Sequence, residues 1–207
     1  MLELKVKIEK EACSLFSRFG IKSITMAELA GKMGISKKTI YSCFQNKQEL
    51  VDAVYTPQLK EAKAACLASI ATAEDAIEEC LLCWISLRPV ITFFRQKAFS
   101  DIQREFYPLS ARYQQFRNVF LRQMIEKNIE RGHSEGLYRP SIHPAIIASL
   151  QTILIEAMSG EIPLSGKWSE DTVDEQILLH YLNGLVTARG AALLEQYEQQ
   201  YLITPQA

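Results

Sequence analysis

Thr25-Met26-Ala27-Glu28-Leu29-Ala30-Gly31-Lys32-Met33-Gly34-Ile35-Ser36-Lys37-Lys38-Thr39-Ile40-Tyr41-Ser42-Cys43-Phe44 is the stretch that decides the fold of this 207-residue chain. Its first four residues form a capping box, in which the Thr25 hydroxyl accepts from the backbone three residues on and Glu28 reaches back. Ile24 and Leu29 hold the flanking staple positions. The pattern predicts a short helix that starts at Thr25, turns Met26, Leu29, Ala30 and Met33 inward, and stops at Gly34. Ser36 is a good N-cap for a third helix to about Cys43. Gly34 permits the positive φ a tight turn needs, Ala30 is small where the two helices approach, and Ile35 and Ile40 anchor the turn from beneath. Two short helices joined by a glycine-containing turn form the outline of a helix-turn-helix.

Outward from this motif almost every segment reads as helix, because apolar residues recur at three and four with no alternating β pattern. The first helix is expected from near Leu4 to Phe19, with Val6, Ile8, Ala12, Leu15, Phe16 and Phe19 for its buried side and Gly20 as its cap. Asn46 opens a fourth helix toward Ser69, which Pro57 is expected to kink or split. A fifth runs from Thr72 to Leu87, and Pro89 and Pro108 suit the first turns of a sixth and a seventh. Gly132 and Gly136 close the seventh, and residues 136–140 form a connector. Pro144 opens an eighth helix ending at Gly160, and residues 161–170, with Pro163 and Gly166, read as a loop. A second capping box, Thr172-Val173-Asp174-Glu175, begins a long last helix to about Gln199. The expected fold is all-α, about nine helices, with a three-helix head over residues 1–46 and a larger helical body over residues 47–207.

At 48% hydrophobic and 23% charged residues, the chain has an ordinary globular composition. No apolar run approaches the roughly 18 residues of a membrane helix. The opening Met1-Leu2-Glu3-Leu4-Lys5 lacks the apolar core of a secretory signal, so the expected location is the cytoplasm. The net charge of −1 is unevenly placed. Residues 1–50 hold nine Lys/Arg against five Asp/Glu, a surplus of +4, and the remainder holds 14 against 19, a balance of −5. A basic head on an acidic body is the electrostatic footprint of a nucleic-acid binder.

The five cysteines, an odd number, point to reduced thiols rather than a disulfide framework. Cys80 and Cys83 lie three apart on one helical face and read as small core residues, a redox or metal role being the alternative. His133, His143 and His180 are scattered. With no metal-ligand spacing, no phosphate loop and no clustered nucleophile, base and orienting group, no cofactor and no enzymatic activity are expected.

The segment from Thr25 to Leu50 resembles the DNA-binding region of the TetR family of bacterial transcriptional repressors. The resemblance rests on Met33-Gly34-Ile35-Ser36-Lys37-Lys38-Thr39-Ile40-Tyr41-Ser42-Cys43-Phe44, on Asn46-Lys47 and on Glu49-Leu50, and upstream on Ala12, Leu15-Phe16 and Gly20. It covers residues 8–52, and beyond them only helical layout and length agree. The family commonly places His or Tyr where this chain has Cys43, whose thiol is a weak donor and is not assigned a phosphate contact. Many members carry Gly at the position of Lys38, which here adds charge to the third helix.

The resemblance implies a repressor that binds a palindromic operator in double-stranded DNA as a homodimer and is released by a small-molecule effector. The third helix would enter the major groove, with Ser36, Lys37, Lys38, Thr39 and Tyr41 at its N-terminal and outer faces and Thr25 and Lys47 bracketing the backbone. The dimer would come from the eighth and ninth helices, with Ile147, Leu150, Leu154, Leu182, Leu185 and Ala188 as interface candidates, the alternative being that this surface is intramolecular core. An effector pocket would lie among the aromatic residues of the middle helices, Trp84, Phe93, Phe94, Tyr113, Phe116 and Phe120, with core packing the alternative for each ring, and Arg88, Arg95 and Arg112 nearby either serve an anion or face solvent. The alternative is a helical module that binds a protein or a small molecule and no longer binds DNA.

Overall fold

Ile8, Ala12, Leu15 and Phe16 recur at spacings of three and four, and the helix they form, α1 (Leu2–Phe19), buries all four. The computed structural model describes residues 2–94, 98–158 and 168–202, with the side chain of Phe94 outside that description. Val6 and Phe19, expected inside, are exposed. Phe19 instead lies against the cations of Arg18 and Lys32, 5.1 and 5.4 Å from its ring centre. After Gly20, at φ 85°, come α2 (Met26–Lys32) and α3 (Lys37–Cys43). Gly34 between them sits at φ 66°, and a Cβ there would meet nothing within 4 Å. The dihedral angle, not space, therefore demands glycine.

Asn46 caps α4 (Lys47–Thr72) by accepting from the Glu49 N–H at 2.9 Å. Of the two outcomes expected at Pro57, a kink or a split, the split does not occur, because the helix runs unbroken through it. The proline is exposed, whereas Val54, Tyr55 and Leu59 around it are buried. Burying such side chains at about 1.5–3 kcal/mol each outweighs the roughly 3 kcal/mol an interior proline costs. Pro89 likewise lies inside α5 (Ala76–Phe94) rather than opening a new helix, held there by the buried Trp84, Leu87, Val90 and Ile91. Helix α5 begins at Ala76 and not Thr72 because the Asp75 carboxylate accepts from the Ile77 and Glu78 N–H groups at 2.8 and 3.1 Å.

Helix α6 (Ala98–Glu105) precedes α7 (Tyr107–Gln115), with Pro108 in its first turn as expected. A π-helical turn, Phe116–Leu121, joins α7 to α8 (Arg122–Ser134). Helix α9 (Pro144–Met158) opens at Pro144, while its expected end at Gly160 and the loop through residue 167 lie outside the described residues. Ser169, not Thr172, caps α10 (Glu170–Leu185), accepting from the Thr172 N–H at 3.1 Å.

The expected single last helix is broken before α11 (Ala188–Tyr201), and the connector after Gly136 causes the break. Arg139 N–H donates to the Leu185 carbonyl at 2.8 Å and Thr187 N–H to the Leu137 carbonyl at 2.8 Å, while Tyr138 and Val186 pair antiparallel. These bonds take backbone groups that a continuous helix would use. Thr187 then caps α11, and a Cβ on Gly190 would sit 2.3 Å from the Leu137 carbonyl oxygen. The described residues thus hold eleven α-helices rather than about nine, and an isolated β-bridge as their β structure. Helix α4 lies along α5, α8 packs between α5 and α9, and α1 touches α4 and α6. One apolar core continues from Ile8 in the head to Tyr197 in α11. No helix among the described residues is long and apolar enough to cross a membrane.

Candidate nucleic-acid interface

The head presents α3 on a rigid bed. Ile40 and Phe44 are fully buried, and Leu29 and Ala30 close over them from α2. Ser36 caps α3, accepting from the Thr39 N–H at 3.0 Å, and its hydroxyl lies 2.8 Å from that of Thr39. The outer face is left to Lys37 and Lys38, both exposed, and to Tyr41, half exposed. Among the described residues no carboxylate lies within ion-pair distance of either lysine. Two unpaired cations and a phenol on one short helix can meet phosphates and base edges without first breaking an internal bond. Cys43, by contrast, is partly buried against the core.

The two flanking residues stand differently. The Thr25 hydroxyl accepts from the Glu28 N–H at 3.1 Å and donates to the Glu28 carboxylate at 2.8 Å, while the Thr25 N–H donates to that carboxylate at 2.7 Å. These bonds, the backbone one foremost, hold the Glu28 carboxyl below the usual carboxylate range. Lys47 points its ammonium toward the Lys22 carbonyl, 3.5 Å away, and partial burial lowers its pKa.

Lys22 ties the head to the body, an attachment sequence reasoning missed because its partners lie about eighty residues on. Its N–H donates to the Asp101 carboxylate at 2.8 Å, and its ammonium pairs with Glu105 at 2.9 Å, both on α6. Arg112 on α7 makes a second tie to α4, donating to Asp52 at 2.8 Å and lying 3.4 Å from the Thr56 hydroxyl.

The aromatic residues expected around one pocket make these contacts among the described side chains. Trp84 lines a small internal cavity between α5, α8, α9 and α10. Phe93 packs on Tyr55 with ring centres 4.8 Å apart, and Tyr113 meets Phe99 edge to face at 5.1 Å. Phe116 and Phe120 stack at 5.5 Å and line an outer cleft of about 280 Å³ with Lys60, Lys63 and Arg112. Phe94 and Arg95 fall outside the described side chains.

The dimer candidates also divide. Leu182 and Leu185 are buried within the single chain, Leu185 at the base of the groove between α9 and α10, and Ala188 is exposed but belongs to α11. Ile147 is half-buried, and Leu150 and Leu154 are exposed, beside Ile146 and Ile153 on α9. Between α9 and α10 runs an apolar groove of about 850 Å³ lined by Ile147, Leu150, Leu154, Trp168 and Ile177. Gln151 Oε1 and the Tyr181 hydroxyl, both of residues lining it, are buried without a hydrogen-bond partner.

Residues 8–54 match the family described as bacterial regulatory proteins, tetR family. A curated relative, the HTH-type transcriptional regulator YhgD of Bacillus subtilis strain 168, is 40% identical over 62 residues, 30% of this chain. The match spans about a third of that relative's length, 32%. Among solved structures, a putative transcriptional regulator from Saccharomonospora viridis in complex with choline shares the fold at TM-score 0.72 and 20% identity, over 90% of this chain and 100% of its own. The ketosteroid transcriptional regulator KstR2 of Mycobacterium tuberculosis aligns at TM-score 0.67 and 18% identity, over 88% and 95% of the two chains. NalD of Pseudomonas aeruginosa, the secondary repressor of the MexAB-OprM multidrug efflux pump, aligns at 0.64 and 19%, over 90% and 97%. At these identities the likeness is one of fold.

Proposed function

We propose that this chain, which carries the helix-turn-helix head of the tetR family, is a transcriptional repressor that binds a palindromic operator as a homodimer and leaves it when a small molecule binds the body. The observation that carries the reading is the exposed, unpaired Lys37 and Lys38 with Tyr41 on a doubly capped α3. One such helix covers too little DNA for specific affinity, and paired heads about 34–36 Å apart reach two successive major grooves. The exposed apolar stripe on α9 and the groove beside it support a second copy as the missing partner, since one stripe on each chain is self-complementary under a two-fold axis. Ser36 and Thr39 position α3, Lys37, Lys38 and Tyr41 make the contacts, and Thr25 and Lys47 approach the phosphates at its flanks. For Lys47 that contact requires turning away from the Lys22 carbonyl.

The test is a gel shift on the DNA upstream of the chain's own coding sequence, across a salt series. Each neutralised phosphate contributes about 0.9 to the slope of log affinity against log salt, so Lys37→Ala with Lys38→Ala removes up to about 3.6 from a dimer's slope. The variant keeps its helical circular dichroism and its dimer and loses the shift. Full affinity in a folded variant refutes the assignment.

A further inference from the structure

The outer cleft between α4 and the α7–π segment carries a charge pattern that runs against the rest of the body. Thr56, Leu59, Lys60 and Lys63 form its α4 wall at spacings of three and four, and Arg112, Gln115, Phe116, Val119 and Phe120 form the facing wall. Residues 51–207 carry a net charge of −5, yet the cleft is lined by three cations and no carboxylate. Lys60 and Lys63 are exposed and have no carboxylate within ion-pair distance among the described residues. Lys63 stands 5.1 Å from the centre of the Phe120 ring. The floor is apolar: Leu59 and Phe116 are buried, and Phe116 and Phe120 stack. The wall is also where the helix departs from α geometry, since Phe116–Leu121 is a π turn, a feature frequent at functional sites.

We infer that this cleft binds an amphipathic carboxylate, a monoanion with an apolar chain or ring, whose head sits among Lys60, Lys63 and Arg112 and whose tail lies on Phe116, Val119 and Phe120. A volume of about 280 Å³ holds a molecule at the small end of the usual ligand range. The inference rests on the repressor reading for its consequence. Arg112 already donates to Asp52 on α4, so a second carboxylate beside it competes for the same guanidinium. Binding of the acid is thereby coupled to the tie between α7 and α4, the helix that begins where the head ends.

Calorimetric titration of the full chain with octanoate and phenylacetate tests the site, with octanol and acetate as controls lacking the charge or the tail. Both acids bind the wild type, the controls do not, and Lys60→Gln with Lys63→Gln weakens the acids at least about tenfold while circular dichroism is unchanged. Octanol binding as well as octanoate, equal binding by the variant, or no binding of either acid overturns the site. In a second arm octanoate weakens wild-type binding to the upstream duplex and leaves the variant's binding unaffected. Unchanged DNA affinity in the octanoate-bound wild type overturns the coupling. A wild type that binds no duplex defeats the repressor reading and with it the coupling, whereas the titration without DNA still decides the site.

Discussion

In the homodimer proposed above, replacing Leu150 by Asp should leave a folded monomer. Ile146, Leu150, Ile153 and Leu154 on α9 are 64, 51, 61 and 38% exposed in the single chain, together about two whole side chains of apolar surface. At roughly 1.5–3 kcal/mol per buried side chain, covering them contributes about 3–6 kcal/mol from each protomer. A two-fold axis counts every change twice, so loss of the exposed half of Leu150 alone removes about 2 kcal/mol, some 30-fold in the dissociation constant. The two new carboxylates each add several kcal/mol of desolvation, which raises the total beyond about 10³-fold. Sedimentation velocity across a concentration series measures this. Because the Leu150 side chain is half in solvent already, the monomer keeps its circular dichroism, and the separated heads lose operator affinity. Leu67→Asp on α4, at 50% exposure, is the matched control and leaves association unchanged. A Leu150→Asp chain that still sediments as a dimer, or a Leu67→Asp chain that does not, refutes the assignment of the α9 face.

Three further outcomes follow from local geometry. Gly190→Ala places a methyl group 2.3 Å from the Leu137 carbonyl and should cost about 1–3 kcal/mol in urea denaturation, whereas Gly31→Ala, with nothing within 4 Å, should gain about 0.5–1 kcal/mol; equal effects would discard the role given to the connector. The Glu28 carboxyl titrates below its ordinary 4.5 in the folded head, so its contribution is complete above that pH and disappears as the pH falls through the lower folded value; this part of the acid dependence of stability should vanish in Glu28→Gln and only shrink in Thr25→Val, which loses the hydroxyl bond and keeps the backbone one. Gly34→Ala forces an L side chain to φ 66° and should destabilise the head by about 1–2 kcal/mol, read by thermal unfolding, and no loss would mean that the turn relaxes.

The head was legible because its determinants are local. Thr25 and Glu28, Ser36 and Thr39, and Asn46 and Glu49 each lie three residues apart, so cap and helix start are written in the same few residues. The body was legible as helix but not in its breaks. Pro57 looks like a kink or a split and Pro89 like a helix start until the buried side chains around them are weighed, and the break before α11 is made by Leu137 and Arg139, some fifty residues upstream. The aromatic set was visible as composition, yet which ring faces which space depends on tertiary packing. Nothing in the sequence around Lys60 and Lys63 marks them out, and only the facing wall from α7 makes them part of a cleft.

The π turn explains one further property of that wall. A π turn carries one residue more than an α turn, and one residue in an α-helix is worth about 100° of rotation. Buried Phe116 is followed by buried Leu121 at a spacing of five, where Tyr113 to Phe116 and Leu121 to Ile125 keep three and four. The insertion therefore acts as a phase shifter within one continuous rod. Before it, α7 shows its apolar side to α4 and α6, and after it, α8 shows its own to α5 and α9. Deleting Asn118 restores an ordinary period and swings one of the two faces into water, which calorimetric unfolding would register as the loss of half the rod's packing while the head's own caps stay intact.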